Sequence, residues 1–265
     1  MHGIIDFHAH AFPDHIAATA IPHLEREGNV TARSTGTVAD LLAAMDRAGV
    51  EKSVLGSIAT KPAQFEAILA WSGRIRSERL VPFPSFHPAD PDWREHLRRI
   101  QGEGFRGVKM HPYYQDFHLD EARLLPMYEE LCRQELILLM HTGFDIAFPR
   151  LRLASPDRIV AVADRFPELK LVTSHLGAWE QWDEVEELLM GRPIYMDISY
   201  TLDQIDRDQA RRILTNHPPG YLLFGTDSPW ADQAETLELL RGLDLGEELE
   251  RRITRENGRR LLDGD

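Results

Sequence analysis

Eight short apolar runs alternate with amphipathic stretches along the chain, and this rhythm restricts it to folds built from strand–helix units around a parallel sheet. The runs are Ile4–His10, Lys52–Ile58, Leu80–Phe86, Gly104–His111, Leu136–His141, Leu169–His175, Pro193–Ser199 and Tyr221–Thr226. Each is followed by a helical pattern. Apolar residues recur at helical spacing in Val38–Ala48 (Leu41, Leu42, Met45), in Pro156–Phe166 (Ile159, Val160, Val162, Ala163) and in Trp179–Met190 (Val185, Leu188, Leu189). A last helix, Glu247–Leu262, is expected to close the structure or lie across its base. Eight strands with eight crossovers predict an α/β protein folded as a closed (β/α)8 TIM barrel, although an open doubly wound sheet shares the local pattern. The 265 residues suit one such barrel. No linker, low-complexity tract or repeat divides the chain, so residues 1–265 read as a single domain.

Composition narrows the partners. A formal net charge of −13 argues against a nucleic-acid surface or attraction to anionic lipid, which reward clustered Lys and Arg. The longest apolar stretches, such as Leu136–Met140, fall far short of the ~20 residues of a membrane helix. The N-terminus runs straight into an apolar strand without a basic region or cleavage site, so a cytoplasmic location is expected. One cysteine, Cys132, excludes an intrachain disulfide; the spacing of Leu124, Met127, Tyr128 and Leu131 around it predicts a buried thiol on a helix. Segment Phe12–Thr37 breaks the rhythm with Pro13, Pro22, Gly28 and Gly36, and reads equally as a plain insertion or as a wall over the active face.

The first run, Ile4-Ile5-Asp6-Phe7-His8-Ala9-His10, ends in two histidines at i and i+2. Alternation in a strand points His8 and His10 the same way, with Asp6 behind them and Ile5, Phe7 and Ala9 opposite. The other run ends are also polar: Lys109 and His111 on the fourth, His141 on the fifth, His175 on the sixth, Ser199 on the seventh and Asp227 just after the eighth. In a barrel these ends converge on one mouth, where active sites sit. Imidazole and carboxylate suit Zn²⁺, Mn²⁺, Fe²⁺ or Ni²⁺, with zinc the first choice by ligand type. A site of His8, His10, His141 and Asp227 would leave a position open for an activated water.

Ile5-Asp6-Phe7-His8-Ala9-His10, Phe105-Arg106-Gly107-Val108-Lys109-Met110-His111-Pro112, Met140-His141-Thr142-Gly143, Ser174-His175-Leu176-Gly177 and Phe224-Gly225-Thr226-Asp227-Ser228-Pro229 together carry a family resemblance. The chain resembles the amidohydrolase superfamily, within it the amidohydrolase-2 branch that contains aminocarboxymuconate-semialdehyde decarboxylase. The closing Asn257-Gly258-Arg259-Arg260-Leu261-Leu262 is similar to that family's C-terminal helix. The resemblance implies the barrel, a mononuclear centre of His8, His10, His141 and Asp227, a role for His175 at the bound water or substrate, and proton acceptance by Asp227. It leaves Lys109 open between a carboxylated bridge to a second metal, a substrate-binding cation and a structural lysine.

The leading expectation is hydrolysis of a small ester, lactone or amide, with Asp227 or His175 moving the proton and Lys109 or His111 steadying substrate charge. The alternative is non-oxidative decarboxylation of an aromatic or muconate-like acid. A metal-binding module without turnover and a phosphoesterase are further readings. Tyr113, Tyr114, Trp179 and Trp230 follow run ends and are expected either to line a substrate pocket or to pack loops. His87 and Ser199 are candidate supports for the ligands. His2, His15, His23, His96, His118 and His217 read as solvated or core histidines. The small molecule is the only expected partner apart from a second copy in a homodimer.

Overall fold

The computed structural model describes residues 3–264. All eight runs form parallel strands: β1 (Ile4–Ala9), β2 (Val50–Gly56), β3 (Leu80–Phe83), β4 (Gly107–Met110), β5 (Ile137–Met140), β6 (Leu171–Thr173), β7 (Tyr195–Asp197) and β8 (Leu222–Leu223). Two ladders, β1-β2-β3 and β4-β5-β6-β7-β8, together make a (β/α)8 barrel. The joins are made by hydrogen bonds outside the two ladders. Lys109 N donates to Pro84 O between the third and fourth strands, and Phe7 N to Phe224 O (2.7 Å), Asp227 N to His8 O and His10 N to Ser228 O between the last and the first. Around the strands run α1 (Asp14–Gly28), α2 (Val38–Ala48), α3 (Phe65–Ile75), α4 (Trp93–Gly102), α5 (Pro112–Gln115), α6 (Leu125–Arg133), α7 (Pro156–Arg165), α8 (Trp182–Leu188), α9 (Arg207–Asn216), α10 (Gln233–Arg241), α11 (Glu247–Arg251) and α12 (Asn257–Asp263). None is long and apolar enough to cross a membrane.

The core has two layers because each strand is buried on both faces. Ile5, Phe7, Val54, Phe83, Ile137, Leu139, Val172 and Leu223 fill the barrel interior, sealed from below by Leu261 and Leu262. A second, larger cluster lies between strands and helices. The C-terminal helix is continuous with the expected one but carries a π-turn at Arg252–Glu256. That widening leaves the Ile253 carbonyl free to accept from Phe224 N (2.9 Å), and Asn257 Nδ2 donates to Pro219 O and Leu222 O, so this segment both closes the base and fastens the short β8. Cys132 is half-buried rather than fully buried.

Two expectations are corrected. The helix predicted at Trp179–Met190 begins only at Trp182, because Trp179 bridges to Gly143 and Glu180 takes a left-handed φ of 54°. Gly143, at φ 86°, has no room for a Cβ, which would stand 2.0 Å from the Trp179 nitrogen.

The second correction is at β1. Its register against β2 shifts between Asp6 and Ala9, a bulge that lets the neighbours Phe7 and His8 both face the barrel interior. Asp6 is therefore not behind the histidines but on the helix side. There it is fully buried and accepts from His8 N, Thr226 N, Thr226 Oγ1 (2.7 Å) and Gln233 Nε2 (2.6 Å), tying β1, the loop after β8 and α10 together. Asp6→Asn would turn an amide NH2 toward two of these donors. At ~1–3 kcal/mol for each buried donor left unpaired, urea unfolding of the metal-free protein should show a loss of about 2 kcal/mol or more.

Candidate metal centre

Each site residue stands at or just beyond a strand end. His8 belongs to β1 and His10 follows it; Lys109 is in β4, His111 and His141 directly follow β4 and β5, His175 lies two residues after β6, and Asp227 four after β8. His175 and Asp227 adopt left-handed backbone, φ 60° and 65°, which aims them at the barrel axis where an extended strand would not. Asp197 supplies the local reason for His175: its Oδ1 accepts from His175 N and its carbonyl from Leu176 N (2.6 Å).

His8, His10 and Asp227 offer ligand atoms that all lie within 4.8 Å of one another. His8 Nδ1–H donates to Asp197 Oδ2 (2.9 Å) and His10 Nδ1–H to the Gly56 carbonyl (2.7 Å). Both rings consequently direct Nε2 at Asp227 Oδ1, at 3.4 and 3.0 Å. Fixed tautomers, unprotonated nitrogens and a shared carboxylate are what a divalent ion requires. Burial, with Lys109 adding to it, pulls His8 down to about 4, so it presents a lone pair at neutral pH. Burial acts to raise Asp227, but His8, His10 and His175 outweigh it and hold the carboxylate well below its usual range.

His141 does not join this group directly. It stacks on His111 at 4.0 Å, and His111, His141 and Asp145 form a second group with ligand atoms within 4.8 Å. His141 Nε2–H donates to Phe144 O (3.0 Å), and His175 Nδ1–H to Ser199 O (2.9 Å). With those nitrogens so used, the remaining ones, His141 Nδ1 and His175 Nε2, face each other across 3.1 Å. A shared proton or a metal ion resolves that opposition, so this pair also fits a cation.

Lys109 stands against the first group and within electrostatic reach of the second. Its Nζ is fully buried, 3.0 Å from His8 Nε2, and burial lowers the ammonium to about 8 against the pull of Asp227, Asp197 and Asp145. Sequence reasoning missed Asp145 and Asp197. Asp145 sits in a loop with no periodicity to mark it, whereas Asp197 was legible as an acid in an otherwise apolar strand, two residues before Ser199 and on the same face. Ser199 Oγ donates to Asp197 Oδ1 (2.5 Å), bracing that carboxylate.

His111, Trp179, Trp230 and Tyr114 line one chamber of about 510 Å³ together with these groups. Tyr113 packs loops instead, its hydroxyl donating to Leu151 O and Gly143 O. His87 only caps Ala89 N. His96 stacks on Phe65 and His217 donates to Ile194 O, as core histidines do; His15 lies at the chamber's edge, and His2 lies outside the described residues. Residues of the Phe12–Thr37 segment, Phe12, Ile16, Leu24 and Val30 among them, form one wall.

A family model described as Amidohydrolase matches residues 5–264. No curated protein matches the chain. Among solved structures, an uncharacterized TIM-barrel protein from Bordetella bronchiseptica is 21% identical over 98% of both chains, with a TM-score of 0.81. The 2,6-dihydroxybenzoate decarboxylase from Rhizobium is 17% identical over 100% of both, at 0.72. A 5-carboxyvanillate decarboxylase from Novosphingobium aromaticivorans, with bound manganese and 3-methoxy-4-hydroxy-5-nitrobenzoic acid, is 12% identical over 99% of this chain and 97% of that one, at 0.74.

Proposed function

Because this chain belongs to the amidohydrolase family, we propose that it is a metal-dependent decarboxylase of an aromatic or muconate-like acid, with His8, His10 and Asp227 holding the ion and His141 at the edge of the same cluster. The observation that carries this reading is the chamber: polar groups collect at the histidine end, while Trp179, Trp230, Tyr114 and Phe144 offer flat apolar walls to a planar acid. The decarboxylases among the similar structures support it. It displaces hydrolysis as the leading expectation. A bound divalent ion would polarise the substrate's oxygen substituents.

The chain's own groups do the rest. Lys109 and His111 bind and orient the acid. Apolar walls strip water from the carboxylate, which weakens its solvation relative to carbon dioxide. As the carbon–carboxylate bond breaks, its electron pair stays on the ring carbon, and His175 delivers from Nε2 the proton it otherwise shares with His141 Nδ1, which replaces the lost group.

Hydrolysis is retained as a second reading on one observation: Lys109 Nζ stands beside His8 of one His/Asp group and feels the charge of Asp145 in the other, so that a carboxylated Lys109 would be a candidate ligand for a second ion. Protein loaded with Mn²⁺ or Zn²⁺ is expected to release carbon dioxide from some member of a hydroxybenzoate and muconate panel, with chelation abolishing release and the metal restoring it. Turnover of esters or lactones with two metal equivalents and no carbon dioxide would overturn the decarboxylase reading.

A further inference from the structure

Beyond the histidine cluster the chamber continues as an apolar wall with no assigned purpose. Phe12, Ile16 and Leu24 reach it from α1 and the turn before it, and Ile58, Ile68 and Trp71 from α3 and the loop after β2. These six are left partly or wholly exposed, Ile16 at 42%, so the protein keeps a contiguous apolar surface uncovered inside a concave site. Such a surface is unfavourable in water unless something fills it. His15, Thr60 and Arg74, the exposed polar residues lining this side, stand at solvent-facing positions, and the patch formed by Ile16, Leu24, Ile68 and Trp71 contributes no polar side chain of its own. At about 510 Å³ the cavity falls in the range of ~300–1,000 Å³ typical of sites for drug-sized ligands. A single benzoate ring leaves much of that space empty.

We infer that the substrate is a monocarboxylic acid whose aromatic head meets the histidine cluster and whose uncharged apolar tail, an alkyl chain or second ring, lies between α1 and α3. This rests on the decarboxylase reading for the head and on the wall alone for the tail. The acid enters with the anion toward Lys109 and His111. Its tail covers Ile16, Leu24, Ile68 and Trp71. Acids that place a second charge among Ile16, Leu24, Ile68 and Trp71 are disfavoured, because it would be desolvated against apolar side chains.

Calorimetric titration of the full-length, metal-loaded protein with 4-n-alkylbenzoates carrying zero to six tail carbons tests it. The Kd is expected to fall about threefold to fourfold per methylene, roughly a hundredfold over four. Ile68→Asp and Leu24→Asp, both at partly exposed helical positions, should each flatten that slope while unfolding curves of the variants confirm an intact fold. Affinity that does not change along the series, a slope unaffected by both substitutions, or no binding even of the hexyl compound overturns the inference. Carbon dioxide release from matching hydroxylated acids is followed in parallel. Tail-dependent binding without release would defeat the decarboxylase reading and leave the tail chamber standing; release with flat binding would do the opposite.

Discussion

Protein carrying both His8→Ala and His10→Ala is expected to purify without metal at the centre and to turn over at least about a thousandfold more slowly, metal activation being worth several kcal/mol and each ~1.4 kcal/mol a factor of ten. The two rings are the only imidazoles directed at Asp227 Oδ1 among the described residues, and each is locked by a hydrogen bond at Nδ1. Removing both leaves one carboxylate, Asp227, where that group had three donors. Stability is a separate matter, since His8 is buried against Asp197 whereas His10 is bonded only to Gly56 O behind it. His10→Ala alone should therefore keep the fold and lose most of the metal. Elemental analysis, unfolding curves and carbon dioxide release on the same preparations separate these effects. Turnover unaffected in the double variant would mean that the chemistry lies elsewhere in the chamber.

The fold was legible because strands buried on both faces read as continuous apolar runs, and eight of them in alternation with helices leave few architectures open. The candidate site was legible for a different reason. His141, His175 and Asp227 lie after their strands in the loops at one mouth, so marking run ends found them although β6 stops two residues before His175 and β8 four before Asp227. What strict alternation concealed was local geometry. One bulge in β1 moves Asp6 to the helix side, and left-handed backbone at His175 and Asp227 turns side chains that an extended strand would have aimed otherwise. His141's place beside His111 and Asp145 had no counterpart in periodicity, because it depends on a loop carbonyl, Phe144 O, accepting from its Nε2. The wall from α1 was half-read: Phe12–Thr37 stood out as too long for a connection, yet only packing shows that Ile16 and Leu24 face the chamber.

Asp197→Asn should weaken metal binding about tenfold to a hundredfold, the usual consequence of losing a partner behind a ligating histidine. Among the described residues, Oδ1 of Asp197 accepts from Ser199 Oγ, Ser199 N and His175 N, and Oδ2 from His8 Nδ1 alone. Asparagine keeps the three donors satisfied by placing its oxygen at the Oδ1 position, which turns its NH2 toward His8. The ring must then accept at Nδ1 and carry its proton on Nε2, where it points at Asp227 in place of a lone pair. Metal titration of the variant and the unaltered chain measures the shift, and an unchanged affinity would exclude tautomer control by Asp197. Acid unfolding gives an independent readout. Burial acts to raise Asp197, but the neighbouring His8 and His175 and the hydrogen bonds to it prevail and hold it at about 2, below its ordinary 3.8. A carboxylate depressed in the fold stabilises fully above its unfolded pKa and loses that contribution as pH falls through the folded one. The metal-free unaltered protein should thus lose stability between about pH 4 and pH 2 through this residue, and Asp197→Asn should remove that part of the acid dependence.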